Sequence, residues 1–411
     1  MPESGRDWAG LREELVERKR DDFDWRSGRI PLYVYFGDEE LYNVAKEAYN
    51  IYFSENALGK KAFPSVDEME REVIGMCLDL FHAPPTADGS FTCGGTESNF
   101  LVLKMAREHA RAEFPDIERP KAIVSSTCHP SIDKAAYYLG VDVVRIPATA
   151  DFRADVDAFD KAIDASTILF VASAPGYTHG VFDPIGELGH LAQERNRMLH
   201  IDACLGGFLA PFVRDIDYPI PELDFAVPGV TSLSADIHKY GMSAKGASVL
   251  LYRDGRMKRF QRFETKNWPR GLYATDTFLG SRSAGAVASA WAVMNYLGRE
   301  GYRKLARTVM DTKRRLTEGI ESIDGLEIVH PSELCMLLYR SKDPAVDINA
   351  IGDNLLKKGW FVGRAVDPVS IHLAINPVHA ASVDEYLSDL RASVDEARSS
   401  GAVGELDEST Y

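Results

Sequence analysis

Nowhere does the sequence hold a run approaching the ~20 apolar residues that a membrane-crossing helix requires. Its opening, MPESGRDWAGLREELVERKRDDFDW, lacks the apolar centre of a signal peptide. The reading is of a soluble, unprocessed, cytoplasmic chain with no integral membrane segment. Cysteine is scarce: Cys77, Cys93, Cys128, Cys204 and Cys335 are odd in number and scattered, without a CxxC pair or a His pair at metal spacing. Reduced thiols are expected and a zinc site is not. Positive charge is in deficit, 47 Lys and Arg against 62 Asp and Glu, for a net charge of −15. Long-range attraction to nucleic acid or an anionic membrane is therefore not expected, and an anionic ligand needs a local pocket of positive charge. GxGxxG and the P-loop are missing too, which argues against a dinucleotide or a nucleoside triphosphate.

What is present is alternation. From about residue 65 to 255, strand and helix patterns follow one another, the signature of an α/β sheet covered by helices. KAIVSS from Lys121, DVVRIP from Asp142, STILFVASA from Ser166, RMLHIDA from Arg197, VTSLSADI from Val230 and ASVLLYR from Ala247 read as strands. Several end in small or polar residues, as strands do when their carboxyl ends feed a ligand crevice. ESNFLVLKMAREHARAEF reads as a helix with apolar positions at Phe100, Leu101, Leu103, Met105 and Ala106. The expected organisation is a helical, Tyr-rich segment at 1–60 that forms an arm on a partner subunit, a large domain at 61–290, and a smaller C-terminal α/β domain at 291–411 ending in an acidic tail. In the last unit we expect helices over Tyr302 to Ile323, Ile348 to Lys358 and Val383 to Arg398, and strands at LEIVH, CMLLYR and SIHLAIN.

Four features of this frame carry chemistry. In FTCGGTESNFLV, Gly94 and Gly95 precede Thr96 at a helix start, where bare amides and a hydroxyl suit a phosphate. Taken alone this is equally a turn with a capping Thr96 or Ser98. His129, followed by Pro130, stands where a strand runs out and cannot easily continue into helix there. Asp202 lies just past an apolar strand, where a carboxylate seeks a cationic partner. In SADIHKYGMSAKG, Lys239 follows His238 at another strand end, with Lys245 six residues on. A desolvated lysine suits Schiff-base chemistry. A phosphate cradle, a crevice His, a strand-end Asp and a strand-end Lys, in that order, define a pyridoxal 5'-phosphate site.

With these residues in place the chain resembles the group II decarboxylase branch of fold-type I pyridoxal-phosphate enzymes, whose fold is aspartate aminotransferase-like. Within that branch it looks like the sphingosine-1-phosphate lyases. The resemblance rests on GGTESN, SAPGYTHGVFDPI, HIDACLGGF, SADIHKYGMSAKG and GLYATDTFLGSR, and spans most of the chain from Ser27. It implies a large domain with a mostly parallel, mixed sheet covered by helices, and a smaller C-terminal domain. It implies that Lys239 bonds the cofactor, Asp202 contacts the pyridine nitrogen and His129 stacks on the ring. Gly95, Thr96 and His238 would cradle the phosphate, with Ser281 reaching in from the neighbouring subunit of a homodimer. Tyr35 and Tyr177 would face the reacting part of the substrate, and Asn56 and Lys245 its phosphate.

Two departures bear on the substrate. Where the family commonly reads NPLHPDxFPS, this chain reads NALGKKAFPS from Asn56, so Gly59 stands in place of a His and Lys60 and Lys61 lie beside it. Met242 occupies a position where the family often has Tyr. The activity implied is retro-aldol cleavage of a phosphorylated sphingoid base to a long-chain aldehyde and phosphoethanolamine. The competing readings are an amino-acid decarboxylase of the same branch and a non-catalytic pyridoxal-phosphate-binding scaffold.

Overall fold

A computed structural model describes residues 1–405 of the chain, so the end of the acidic tail lies outside the described residues. Seven strands form the main sheet: β1 (Asp88–Thr92), β2 (Lys121–Ser125), β3 (Asp142–Ile146), β4 (Thr167–Ser173), β5 (Met198–Asp202), β6 (Val230–Ala235) and β7 (Ser248–Tyr252). Their order is β1-β7-β6-β5-β4-β2-β3, and only β7 runs against the others. The expected mixed, mostly parallel sheet is thus present. Every residue of β4 is buried, as a strand covered by helices on both faces must be.

The helix Gly95–Glu113 packs Leu101, Val102, Leu103, Met105 and Ala106 into the core, close to its expected apolar face. Because six strands share a direction, the chain segments leaving β1, β2, β4, β5 and β6 emerge at one end of the sheet. That end is the crevice in which open α/β sheets place ligands.

A second sheet of four antiparallel strands, Leu326–Ile328, Met336–Ser341, Val369–Ala374 and Gly363–Val366, is covered by the helices Ile348–Lys357 and Val383–Ser400. The two sheets share one continuous apolar core, from Phe170 and Leu233 through Val309 to Leu337 and Leu390. The span Ala284–Glu321 that joins them is two helices meeting at a kink at Gly298, where φ is 52° and ψ −176°, and the second of them contains the expected helix from Tyr302.

Four strands went unread: β1, Gly363–Val366, and the hairpin pair Phe263–Thr265 and Tyr273–Thr275. DGSFT and GRAV are short and carry Gly without an apolar run, so neither has a usable period. Before residue 60 the helices are Trp8–Arg18, which buries no residue, and Glu39–Ile51, which buries Leu41 and Ala45. Among the described residues no helix is long and apolar enough to cross a membrane, and no group of three or more His, Cys, Asp or Glu is placed to hold a metal ion.

Candidate active site

The turn after β6 places Lys239 with its Nζ 2.9 Å from Oδ2 of Asp236, a carboxylate three residues back and almost wholly buried. Burial alone favours the neutral amine, but the Asp236 charge outweighs it and the Lys239 pKa is raised. For Asp236, burial acts against ionisation, yet Lys239, His238 and a hydroxyl from Ser248 hold its pKa low. The pair is an ammonium and a carboxylate. His238 lies against the same carboxylate, Nε2 at 3.6 Å. Its Nδ1 accepts the Ala247 N–H at 3.3 Å, which leaves the ring proton on Nε2.

Asp202 closes β5. Its Oδ1 accepts the Cys204 N–H at 3.1 Å and its Oδ2 the Asn99 side-chain amide at 2.9 Å. Burial pushes its pKa up, but His129, Asn99, His200 and Cys204 together bring it below the ordinary value. The Asn99 amide also donates to the Ser131 hydroxyl at 2.8 Å. That hydroxyl lies 2.9 Å from His129 Nδ1, which also accepts the Ser131 N–H at 3.2 Å. The Asn99 amide thus donates to Asp202 on one side and to Ser131 on the other, and the Ser131 N–H on His129 Nδ1 puts the ring proton on Nε2. Burial lowers the His129 pKa, so the ring is neutral.

At the helix start after β1, Gly94 precedes Gly95 with no side chain capping the first turn. A Cβ on Gly95 would lie 2.6 Å from Cys204 Sγ and 3.2 Å from Asp236 Oδ2, and one on Gly94 3.4 Å from the His238 ring. Thr96 is exposed on this turn. Glu97, buried, accepts the Cys93 N–H at 2.6 Å and the Phe278 N–H at 2.7 Å, tying the turn to the loop before Ser281. Two acceptors here, Asn99 Oδ1 and Asp236 Oδ1, are buried without a hydrogen-bond partner. Uncapped amides, a glycine that leaves no room for a side chain, two unpaired buried oxygens, a paired lysine and a low-pKa carboxylate fit a pyridoxal-phosphate donor set.

The other expected residues fall into two groups. Tyr35 packs edge-on to the Tyr240 ring at 5.0 Å, and Lys245 Nζ stands 5.1 Å over the Tyr35 ring face. Burial raises the Tyr35 phenol despite the opposing charge of Lys239. The Lys245 side chain reaches solvent, but its ammonium is set back against the carbonyls of Tyr33 (3.0 Å) and His238 (3.4 Å). That burial, with the like charge of Lys239, lowers its pKa to about 8. Tyr177 follows β4, its ring 6.5 Å from that of His129 and 5.1 Å from that of His372. Asn56 and Ser281 pair with each other at 2.9 Å. Lys60 and Lys61 are both exposed, and Lys60 turns to Asp67 at 2.8 Å.

Asp236, Asn99 and Ser131 were not picked out from sequence. The available signal was their place inside SADIHK, GGTESN and HPS, each beside a residue that was.

Comparison with known proteins bears on family and fold. A family model described as the pyridoxal-dependent decarboxylase conserved domain matches residues 45–342. The chain is 39% identical over 391 residues to a sphingosine-1-phosphate lyase of Arabidopsis thaliana, covering 93% of this chain and 71% of that protein. It is 37% identical over 390 residues to one of Oryza sativa, covering 93% and 72%. A solved sphingosine-1-phosphate lyase from Burkholderia pseudomallei superposes with a TM-score of 0.91 at 35% identity, over 97% of this chain and 93% of that one. A Lactobacillus brevis glutamate decarboxylase superposes at 0.85 with 21% identity, over 97% and 94%, which is likeness of fold.

Proposed function

The chain belongs to the pyridoxal-dependent decarboxylase family. On that premise we propose that it is a pyridoxal-phosphate-dependent aldehyde lyase, cleaving phosphorylated sphingoid bases to a long-chain aldehyde and phosphoethanolamine. The observation that carries this choice is its likeness to sphingosine-1-phosphate lyases along 93% of the chain, where the decarboxylase structures share the fold.

When bound, the cofactor supplies a sink for the electron pair released as the substrate's carbon–carbon bond breaks. The amides of Gly95 and Thr96 with His238 would hold its phosphate, Lys239 its carbonyl carbon, Asp202 its ring nitrogen and His129 its face. Asp202, ionised and fixed by Asn99 and Cys204, keeps a proton on that nitrogen. Lys239 must shed a proton before it serves as an amine, and until then Asp236 at 2.9 Å, itself held ionised, fixes the position of its ammonium. Tyr35, its phenol raised by burial, stays protonated at neutral pH and serves as a donor. That leaves the substrate's hydroxyl proton to the Tyr177 side of the site. Lys245, with no acidic partner, is the cation for the substrate phosphate.

We place Asn56 and Ser281 toward the site of a second, identical subunit. The exposed apolar side chains that flank them in sequence, Leu58, Phe278 and Leu279, support this. The solvent-exposed helix Trp8–Arg18 fits an arm on that subunit, with the large and small units dividing near residue 290. A cytoplasmic location belongs to the same reading.

The test is incubation of the cofactor-loaded protein with a phosphorylated sphingoid base, identifying both products by mass. Equal amounts of aldehyde and phosphoethanolamine, lost in Lys239→Ala, are expected. Carbon dioxide from an amino acid with no aldehyde would move the assignment to decarboxylation.

A further inference from the structure

Two residues before Asp202 in β5 stands His200, wholly buried. Side chains alternate along a strand, so His200 and Asp202 share one face of the sheet. In register beside them on β6 are Ser232 and Ser234, both wholly buried. A histidine and two hydroxyls in such a core gain little over apolar side chains of the same size, since each must recover the hydrogen bonds it gave up in water. What a satisfied polar cluster adds is a single geometry.

The bonds of this cluster have a direction. Burial and the charges of Asp202 and Asp236 push the Cys204 thiol up, so it keeps its proton and donates to Ser234 Oγ at 3.2 Å. The Ser234 hydroxyl has one other partner among the described residues, His200 Nε2 at 3.2 Å, and its own proton goes there. That leaves the ring proton on Nδ1, 2.9 Å from Ser232 Oγ. The opposite tautomer would aim the ring N–H and the thiol at one oxygen and leave the Ser234 proton without an acceptor. Burial lowers the His200 pKa to about 4, so the ring is neutral.

At its other end the cluster reaches the residue where two parts of the cofactor site meet. Cys204 donates its N–H to Asp202 Oδ1 at 3.1 Å, and its Sγ lies 2.6 Å from where a Cβ on Gly95 would stand. In the proposed site Asp202 meets the ring nitrogen and the Gly95 turn the phosphate. A swing of the Cys204 side chain is therefore felt at both.

We propose that His200 is a positioning residue for the cofactor: by accepting the Ser234 proton it fixes the Cys204 side chain, and through Cys204 it holds Asp202 and the Gly95 turn in place. The proposal rests on the pyridoxal-phosphate site and not on which substrate bond is cleaved.

The first measurement is imidazole nitrogen NMR on the cofactor-loaded protein labelled at histidine, the His200 signal being identified by its loss in His200→Gln. The proton should be found on Nδ1. The second is the dissociation constant for pyridoxal phosphate. His200→Gln puts an amide oxygen where the ring carries Nε2 and should bind within about threefold of wild type, whereas His200→Asn, with a polar atom only at the Nδ1 place, should bind about tenfold more weakly. Ser234→Ala should weaken binding by a similar factor, and adding His200→Asn to it should cost less than about twofold more, because the two act in one chain. A proton on Nε2, equal affinities in the Gln and Asn variants, or additive losses in the double variant would overturn the assignment. None of these readouts depends on cleavage, so failure of the lyase reading would leave the result standing.

Discussion

With its ammonium against the Tyr33 and His238 carbonyls, Lys245 keeps its proton only up to about pH 8, where an ordinary lysine keeps it beyond 10. Substrate phosphate needs the charged form. kcat/KM, which reports the free enzyme, should therefore hold level below pH 8 and fall about tenfold per unit above it. Lys245→Arg should extend the plateau. Lys245→Ala should raise KM roughly 10- to 100-fold, in line with loss of a charge-assisted hydrogen bond of about 1.5–3 kcal/mol. A pH–rate series on the three proteins checks this, and an unchanged alkaline limb in Lys245→Arg would remove Lys245 from phosphate recognition. At this scale the residues bearing chemical groups were legible: Lys239, Asp202, His129 and His238 all follow strands that end at one edge. Asp236, Asn99 and Ser131 were not, because their work is to hold those four. Whether an Asn on a helix reaches a strand-end Asp is decided by how helix and sheet pack.

The start of the helix Gly95–Glu113 depends on a missing side chain. Gly95→Ala forces its methyl to within 2.6 Å of Cys204 Sγ, a buried atom with little room to give. Overpacking of this kind costs about 1–3 kcal/mol and would push the first turn off its cradle. Thermal melts and cofactor retention on dialysis should both fall, and adding Cys204→Ala should recover part of each, since the two sites are in contact. No recovery would mean the turn itself, rather than the contact, requires glycine. A second element, the connection after β4, hangs on Asp183, whose two oxygens accept the N–H groups of Ala154 and Ser173 at 2.7 Å each. Burial raises its pKa from 3.8 to about 6. The folded state thus holds a proton that the unfolded chain has lost, so this group's contribution is complete below about pH 4, falls as pH rises to 6 and stays low above it. The stability of the wild type relative to Asp183→Asn should shrink by on the order of 2–3 kcal/mol between pH 4 and 7, read from paired melts. A constant difference would show that Asp183 does not titrate in that window. Among elements, β2 to β7 were readable from apolar runs closed by small residues. β1 was not, because DGSFT takes its strand form from pairing with β7 rather than from any period of its own.

For the whole molecule the deciding question is where Ser281 works. Within one chain it bonds Asn56 on an exposed face bordered by Leu58, Phe278 and Leu279, while Lys239, Asp236 and Asp202 sit together at the end of the sheet. The main sheet and its crevice could be foreseen because one chain builds them. A site finished by another chain leaves only a loop motif, GLYATDTFLGSR, whose target no spacing reveals. Complementation separates the two arrangements. Lys239→Ala removes the bonding lysine and should be inactive alone, and Ser281→Asp places a negative charge against the cofactor phosphate and should be strongly impaired alone. If Ser281 serves the neighbouring subunit, a mixed dimer contains one site with both Lys239 and Ser281 intact. Random exchange of equal amounts should then restore about one quarter of wild-type activity, since half the dimers are mixed and each has one good site of two. If Ser281 serves its own chain, every site in the mixture lacks one of the two residues and activity stays at the level of the parents. Sedimentation of the same mixture establishes that dimers formed, so an absence of recovery in a dimeric sample places Ser281 in its own subunit's site.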